Sequence, residues 1–144
     1  MRVTEQVQLP RDWFQAFLDP AFTARMEVVD RVREGIPWTE FVASMEKLGL
    51  SQKEAAHLLL LPERTLARRK GGRLDAHEGE RFLRLIRLWS LANDVLGASD
   101  KAWRWLGGSN RALGGMTPLS LLDTDLGTQA VEDLLGRIEY GVFS

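Results

Sequence analysis

Residues 51–70 read SQKEAAHLLLLPERTLARRK, two helix starts within twenty residues. Ser51 suits a helix start: its hydroxyl can take a free amide of the first turn, and Glu54, three residues on, completes a capping box. Ala55, Ala56 and Leu59 then follow a helical period. Pro62 ends that run and opens a second short helix, ERTLARRK, because proline lacks an N–H but fits a first turn. Two short helices across a tight turn, the second basic, predict a helix-turn-helix. Ala56 is small enough for a close crossing, and Ala55, Leu59, Leu61 and Leu66 pin the pair together. The turn position ordinarily taken by glycine is Leu60, and Arg69 stands where an apolar packing residue is common. A packed αα-hairpin without a nucleic-acid role is the alternative reading of the same spacing.

Between Arg64 and Arg73 there are five basic residues and no acidic one. In a major groove the second helix would present Glu63, Arg64, Ala67 and Arg68, with Arg69 and Lys70 near the backbone. Arginine grips guanine's acceptor pair, and lysine or arginine neutralises phosphate. The full candidate DNA-facing set is Gln52, Lys53, Arg64, Thr65, Arg68, Arg69 and Lys70.

Upstream, Pro37 opens WTEFVASMEKL, with Phe41, Val42, Met45 and Leu48 on one face, and Gly49 closes it. Asp19-Pro20 predicts an earlier helix running to about Arg33–Glu34, with Gly35 as a left-handed stop. Downstream, Gly71-Gly72 breaks the chain, and Asp75 with Glu78 caps the longest helix, about Ala76 to Leu96. There Phe82, Leu85, Ile86, Trp89, Ala92, Val95 and Leu96 keep the 3.6-residue period. Leu83, Leu88 and Leu91 widen the stripe, so the helix is expected to be buried on two sides. It is either an intrachain strut or a face for a second subunit.

Past Gly97 the elements shorten. Ser99 is expected to cap DKAWRWL, and Gly114 or Gly115 to take a positive φ within GGSNRALGGMT. Pro118 starts PLSLL. A last helix, about Leu126 to Tyr140, places Leu126, Ala130, Leu134, Leu135 and Ile138 on its apolar side. No alternating run of strand length appears, so the chain reads as all-α.

Composition narrows function. The chain has 144 residues, enough for one compact domain or two small helical ones. With no cysteine and only His57 and His77, thiol chemistry, zinc ribbons and multi-histidine metal sites are excluded. No apolar run reaches the ~18 residues of a membrane span. MRVTEQVQLPRDW lacks the apolar stretch of a signal peptide, and a cytoplasmic protein without membrane contact is expected. Residues 1–74 carry 12 Lys and Arg against 10 Asp and Glu; residues 75–144 carry 7 against 10. Gly107–Gly115 lacks the lysine and the preceding strand of a phosphate loop. Nothing brings a histidine, a carboxylate and a nucleophile together, so neither an enzyme nor a cofactor is expected. Glu132, Asp133 and Glu139 fall on the polar face of the last helix.

Three stretches carry a resemblance: GLSQKEAAHLLLLPERTLARRKGGRL, EGERFLRLIRLWSLANDVLG, and KAWRWLGGSNRALGGMTPLSLLDTDLGTQAVEDLLGRIEYGVFS. Residues 49–144 resemble the Xre/MbcA/ParS antitoxin family. The family's arginine-threonine-leucine-x-arginine-arginine segment is met at Arg64–Arg69. Its C-terminal signature is met at Trp105-Leu106, Asn110, Leu113-Gly114-Gly115, Pro118–Leu122, Thr124 and Gly127, and its ending at Arg137–Gly141. The resemblance implies an antitoxin of a type II pair that covers the active site of a RES-domain, NAD⁺-consuming toxin. It also implies a homodimer that binds operator DNA as a repressor of its own transcription. The residues expected to meet the toxin are Trp105, Asn110, Leu113, Gly114, Arg137, Glu139, Tyr140, Val142, Phe143 and Ser144. Three regions follow: 1–48 N-terminal and helical, 49–92 for DNA binding and dimerisation, and 93–144 for the toxin. The alternative is a stand-alone helix-turn-helix regulator whose C-terminal half dimerises or senses a ligand.

Overall fold

The computed structural model describes residues 22–139 and Gly141. The expected cap at Asp19-Pro20, and Tyr140, Val142, Phe143 and Ser144, lie outside the described residues. The described chain is helical: α1 (Phe22–Glu34), α2 (Trp38–Leu48), α3 (Gln52–Leu58), α4 (Glu63–Ala67), α5 (Ala76–Leu96), α6 (Ser99–Gly107) and α7 (Asp125–Glu139). Two 3₁₀ turns, Arg111–Leu113 and Pro118–Leu121, lie between α6 and α7. The expected all-α class holds. The chain divides into two compact units, one up to Glu80 and one from Arg81.

In the first unit, Gly35 ends α1 at φ +96°, and a Cβ there would stand 2.7 Å from the Leu74 carbonyl oxygen. That close approach lets residues 36 to 38 pair with the segment after α4. Leu74 N–H donates to the Ile36 carbonyl at 2.9 Å, and Trp38 N–H to that of Gly72 at 2.9 Å. Phe41, Met45 and Leu48 of α2 are buried as expected, with Ile36, Ala55, Ala56, Leu59, Leu66 and Leu74. Glu40 is buried too, and it pairs with Arg31 of α1. Both predicted capping boxes are present. Glu54 N–H donates to Ser51 Oγ at 3.1 Å and Ser51 N–H to Glu54 Oε1 at 2.8 Å. Glu78 N–H donates to Asp75 Oδ1 at 2.8 Å and Asp75 N–H to Glu78 Oε1 at 2.9 Å.

In the second unit, Phe82, Leu85, Ile86, Leu88 and Ala92 of α5 are buried, while Leu83, Trp89, Leu91, Val95 and Leu96 are half-buried. Arg84 donates to the Leu122 carbonyl at 3.2 Å, and Arg87 pairs with Glu132 of α7. Three details correct the sequence reading. The N-cap of α6 is Ala98 rather than Ser99, which already belongs to the helix and makes no capping bond. PLSLL winds as a 3₁₀ turn, capped by Thr117 Oγ1 on the Ser120 amide. The buried face of α7 is Thr128, Val131, Leu134 and Leu135, not the stripe containing Leu126 and Ala130. Leu126 is 78% exposed. Thr124 explains the rotation: it accepts from the Gly127 amide at 3.0 Å and Thr128 Oγ1 donates back to its carbonyl at 2.9 Å, turning Thr128 inward.

Candidate nucleic-acid interface and partner-binding surface

The helix pair α3–α4 is joined by a stop built on Leu60. Leu60 N–H donates to the His57 carbonyl at 3.1 Å and Leu61 N–H to that of Ala56 at 2.9 Å, the paired bonds of a Schellman end. That geometry needs a left-handed residue, and Leu60 supplies it at φ 59°, alone among the described non-glycine residues. The glycine position is therefore filled in conformation although not in residue type. Ala56 is buried at the crossing with Ala55, Leu59 and Leu66, as the close approach of the two helices requires.

The second arm is shorter than the sequence suggests. ERTLARRK is helical only over Glu63–Ala67; Arg68 is the C-cap, and Arg69 and Lys70 continue in turns. Lys53, Arg64, Arg68 and Lys70 are exposed, and Gln52 and Thr65 are half-buried. Arg69 departs from the expected set. Its Nε and Nη2 donate to the two carboxylate oxygens of Glu78, at 3.0 and 2.7 Å. Glu78's side chain is only 6% exposed. The hydrogen bonds to that carboxylate, and its charge, raise the Arg69 pKa above the usual guanidinium value. A guanidinium already filled by a fork-to-fork pair is a poor hand for phosphate. Arg69 thus fills the apolar packing position as a charge pair with Glu78. Glu78 is the residue sequence reasoning missed. Its cap at Asp75 was legible, but its second role across nine residues was not.

In the second unit the turn after α6 is closed around Asn110. Asn110 Oδ1 accepts from the Ala112 amide at 3.0 Å, and the Asn110 carbonyl takes the Gly115 amide at 2.8 Å. Asn110 N–H donates to the Met116 carbonyl at 3.1 Å, and Ser109 Oγ to that of Gly115 at 2.7 Å. Both Gly114 (φ +70°) and Gly115 (φ +87°) are left-handed, which closes so tight a loop. Asn110 and the glycines therefore build the turn. Trp105 and Leu113 are half-buried beside it. An open cleft of about 360 Å³ lies here, with the Trp105 indole, Lys101 and Arg104 on its walls. Arg137 and Glu139 are exposed on α7. Gly141, two residues past that helix, is left-handed at φ +70°.

Among the described residues no group of histidine and carboxylate side chains is placed to hold a metal ion, and no helix is long and apolar enough to cross a membrane.

Two family models match this chain. One, the antitoxin Xre-like helix-turn-helix domain, covers residues 27–87; the other, the antitoxin Xre/MbcA/ParS C-terminal toxin-binding domain, covers residues 91–141. The first match begins at residue 27, within α1, and takes in all of α2 as well as the helix pair. The chain is 32% identical to antitoxin Xre of Pseudomonas putida over 130 residues, 88% of this chain and 80% of that protein. It is 41% identical to antitoxin Xre of Yersinia enterocolitica over 87 residues, 58% of this chain and 59% of the relative. With antitoxin Xre of Photorhabdus laumondii it shares 42% over 74 residues, 51% of this chain and half of the relative's length.

Proposed function

The chain belongs to the Xre/MbcA/ParS antitoxin family, whose members are regulatory binding proteins and not enzymes, and we propose that it neutralises a RES-domain, NAD⁺-consuming toxin and represses its own operon as a homodimer in the cytoplasm. The carrying observation for DNA is the helix pair itself. A left-handed stop at Leu60 sets α4 across α3, and Arg64, Arg68 and Lys70 stand exposed along the second arm. Arg64 and Arg68 read base edges, while Lys53 and Lys70 neutralise phosphates. For the toxin, two features support the reading: the turn closed around Asn110, with Trp105 and Leu113 half-buried at it, and Arg137 and Glu139 exposed on α7. Tyr140 to Ser144 follow Glu139 in sequence and complete the expected toxin-facing set. A cleft that binds a dinucleotide needs cationic groups for its phosphates, and Glu139 is suited to occupy their place.

One co-expression experiment tests both halves. The chain is produced with a RES-domain toxin encoded beside it, cellular NAD⁺ is measured, and a DNA fragment from upstream of the chain's own coding sequence is tested for gel retardation. Arg64→Ala with Arg68→Ala should abolish retardation while NAD⁺ stays protected. Tyr140→Ala should release NAD⁺ consumption, at a hot-spot cost of about 2 kcal/mol or more, while retardation persists. If both variants behave as wild type in both assays, the assignment of the two surfaces is wrong.

A further inference from the structure

The DNA-facing arm ends in three successive cations, Arg68, Arg69 and Lys70, of which only the middle one is tied to the protein. Arg69 N–H donates to the Leu66 carbonyl at 3.0 Å, Lys70 N–H to Ala67 at 3.2 Å and Gly72 N–H to Arg69 at 2.9 Å. Each of these bonds reaches three residues back, so the stretch continues beyond α4 as 3₁₀-like turns, in which consecutive side chains diverge by about 120°. Turning the middle side chain inward turns both neighbours outward. The group that holds Arg69 is itself fixed. Glu78 Oε1 also takes the Asp75 amide, and the Glu78 amide is held by Asp75 Oδ1, so the carboxylate cannot swing with its guest. Asp75 Oδ2 lies 3.9 Å from Arg69 Nη2 and adds to the same pull.

We infer that Arg69 is a positioning residue of the DNA interface: gripped by Glu78, it orients Arg68 and Lys70 toward the nucleic acid without touching it. This rests on the DNA-binding reading of the helix pair. Pairing also matches the charge of Glu78, whose side chain is 6% exposed and which would otherwise be buried alone, a costly state. Removing either partner should then loosen the turn and spread the two outward cations over many orientations.

Glu78→Gln is the decisive variant, because glutamine keeps an oxygen for the Asp75 amide but no longer holds the guanidinium as a charge pair. Retardation of the upstream DNA fragment is measured from low to high salt for wild type, Glu78→Gln and Arg69→Gln. Hydrogen exchange of the Lys70 and Gly72 amides is followed in the free protein. Both variants are expected to bind about tenfold more weakly. Their salt slope should not exceed that of wild type, since no phosphate contact is gained and at most that of Lys70 is weakened, and the two amides should exchange faster. If Arg69 instead touches phosphate, Glu78→Gln frees it: binding tightens, the slope steepens by about 0.9, and the inference is overturned. Wild-type binding in both variants overturns it as well. Should wild type itself fail to retard the DNA, the operator reading falls, and exchange rates alone then decide whether Glu78 holds the turn. Unchanged exchange would sink the inference in that case too. Glu78→Gln carries the test alone if Arg69→Gln does not fold.

Discussion

Arg87 of α5 and Glu132 of α7, 45 residues apart in sequence, meet through two hydrogen bonds to one carboxylate oxygen, 3.1 Å from Nε and 2.7 Å from Nη2. The pair is only partly shielded, with side-chain exposures of 37% and 26%, so water screens it. Glu132→Gln should lower stability by about 0.5–1 kcal/mol in dilute buffer. The effect should shrink as salt is added, because exposed charges are screened within a Debye length. Thermal unfolding at two ionic strengths checks this. Equal losses at both would show that shape, not charge, joins the two helices.

Leu60 and Gly49 end their helices with the same pair of backbone bonds, one with a side chain and one without. A left-handed leucine costs about 1–2 kcal/mol, and glycine gives back about 0.5–1 kcal/mol of that through its looser unfolded chain. Leu60 is 61% exposed, so little burial is lost on replacing it. Leu60→Gly should therefore raise stability by about 0.5–1 kcal/mol, read from denaturant midpoints, and leave DNA retardation intact. A fall in stability would mean that the leucine side chain contributes a contact larger than the strain.

Gly127 sits in the first turns of α7, against the Leu121 carbonyl oxygen. A Cβ there would overlap that oxygen and press at 3.0 Å on Leu121 Cβ and Thr124 Oγ1. Backbone gives way less readily than the end of a side chain. Gly127→Ala should cost about 1–3 kcal/mol despite alanine's better helix propensity. Toxin neutralisation should weaken while DNA binding persists. A neutral effect in unfolding experiments would show that α7 can slide on the preceding 3₁₀ turn.

The Ser51 amide and hydroxyl hold the Glu54 carboxyl below the ordinary carboxylate pKa. A lowered folded-state pKa contributes stability that is present above the unfolded pKa and lost as pH falls through the folded one. The start of α3 should thus weaken at acid pH, below the usual carboxylate range. Glu54→Gln, which removes the titrating carboxyl, should flatten that acid limb and change little at neutral pH beyond a weaker cap. Unfolding curves from neutral to acid pH measure it; parallel limbs in the two proteins would refute the role.

Much of this architecture was legible in local chemistry. Ser51 with Glu54, Asp75 with Glu78, Pro37, Gly35 and Gly49 act within one helical turn, and each sits where short-range hydrogen bonding put it. What escaped were relations between distant residues. The inward face of α7 could not be told from periodicity, because Leu126 and Ala130 match the apolar period as well as Thr128 and Val131 do; the threonine turn at Thr124 breaks the tie. Arg69 read as a surface cation because its partner lies in the next helix. The C-terminal signature was visible as a pattern, but not as a physical device until Asn110 was seen to close the turn and Gly127 to admit a carbonyl.

The brevity of α4 bears on how much information this protein can extract from DNA. Five residues rise about 7.5 Å, the length of roughly two base pairs. Two base pairs distinguish only about sixteen sequences, against millions of competing positions in a chromosome. If the helix pair reads an operator as proposed, that operator would then be a repeated word. Several copies spaced to match the assembly would multiply a weak vocabulary into a unique address, and isolated half-sites should go unread.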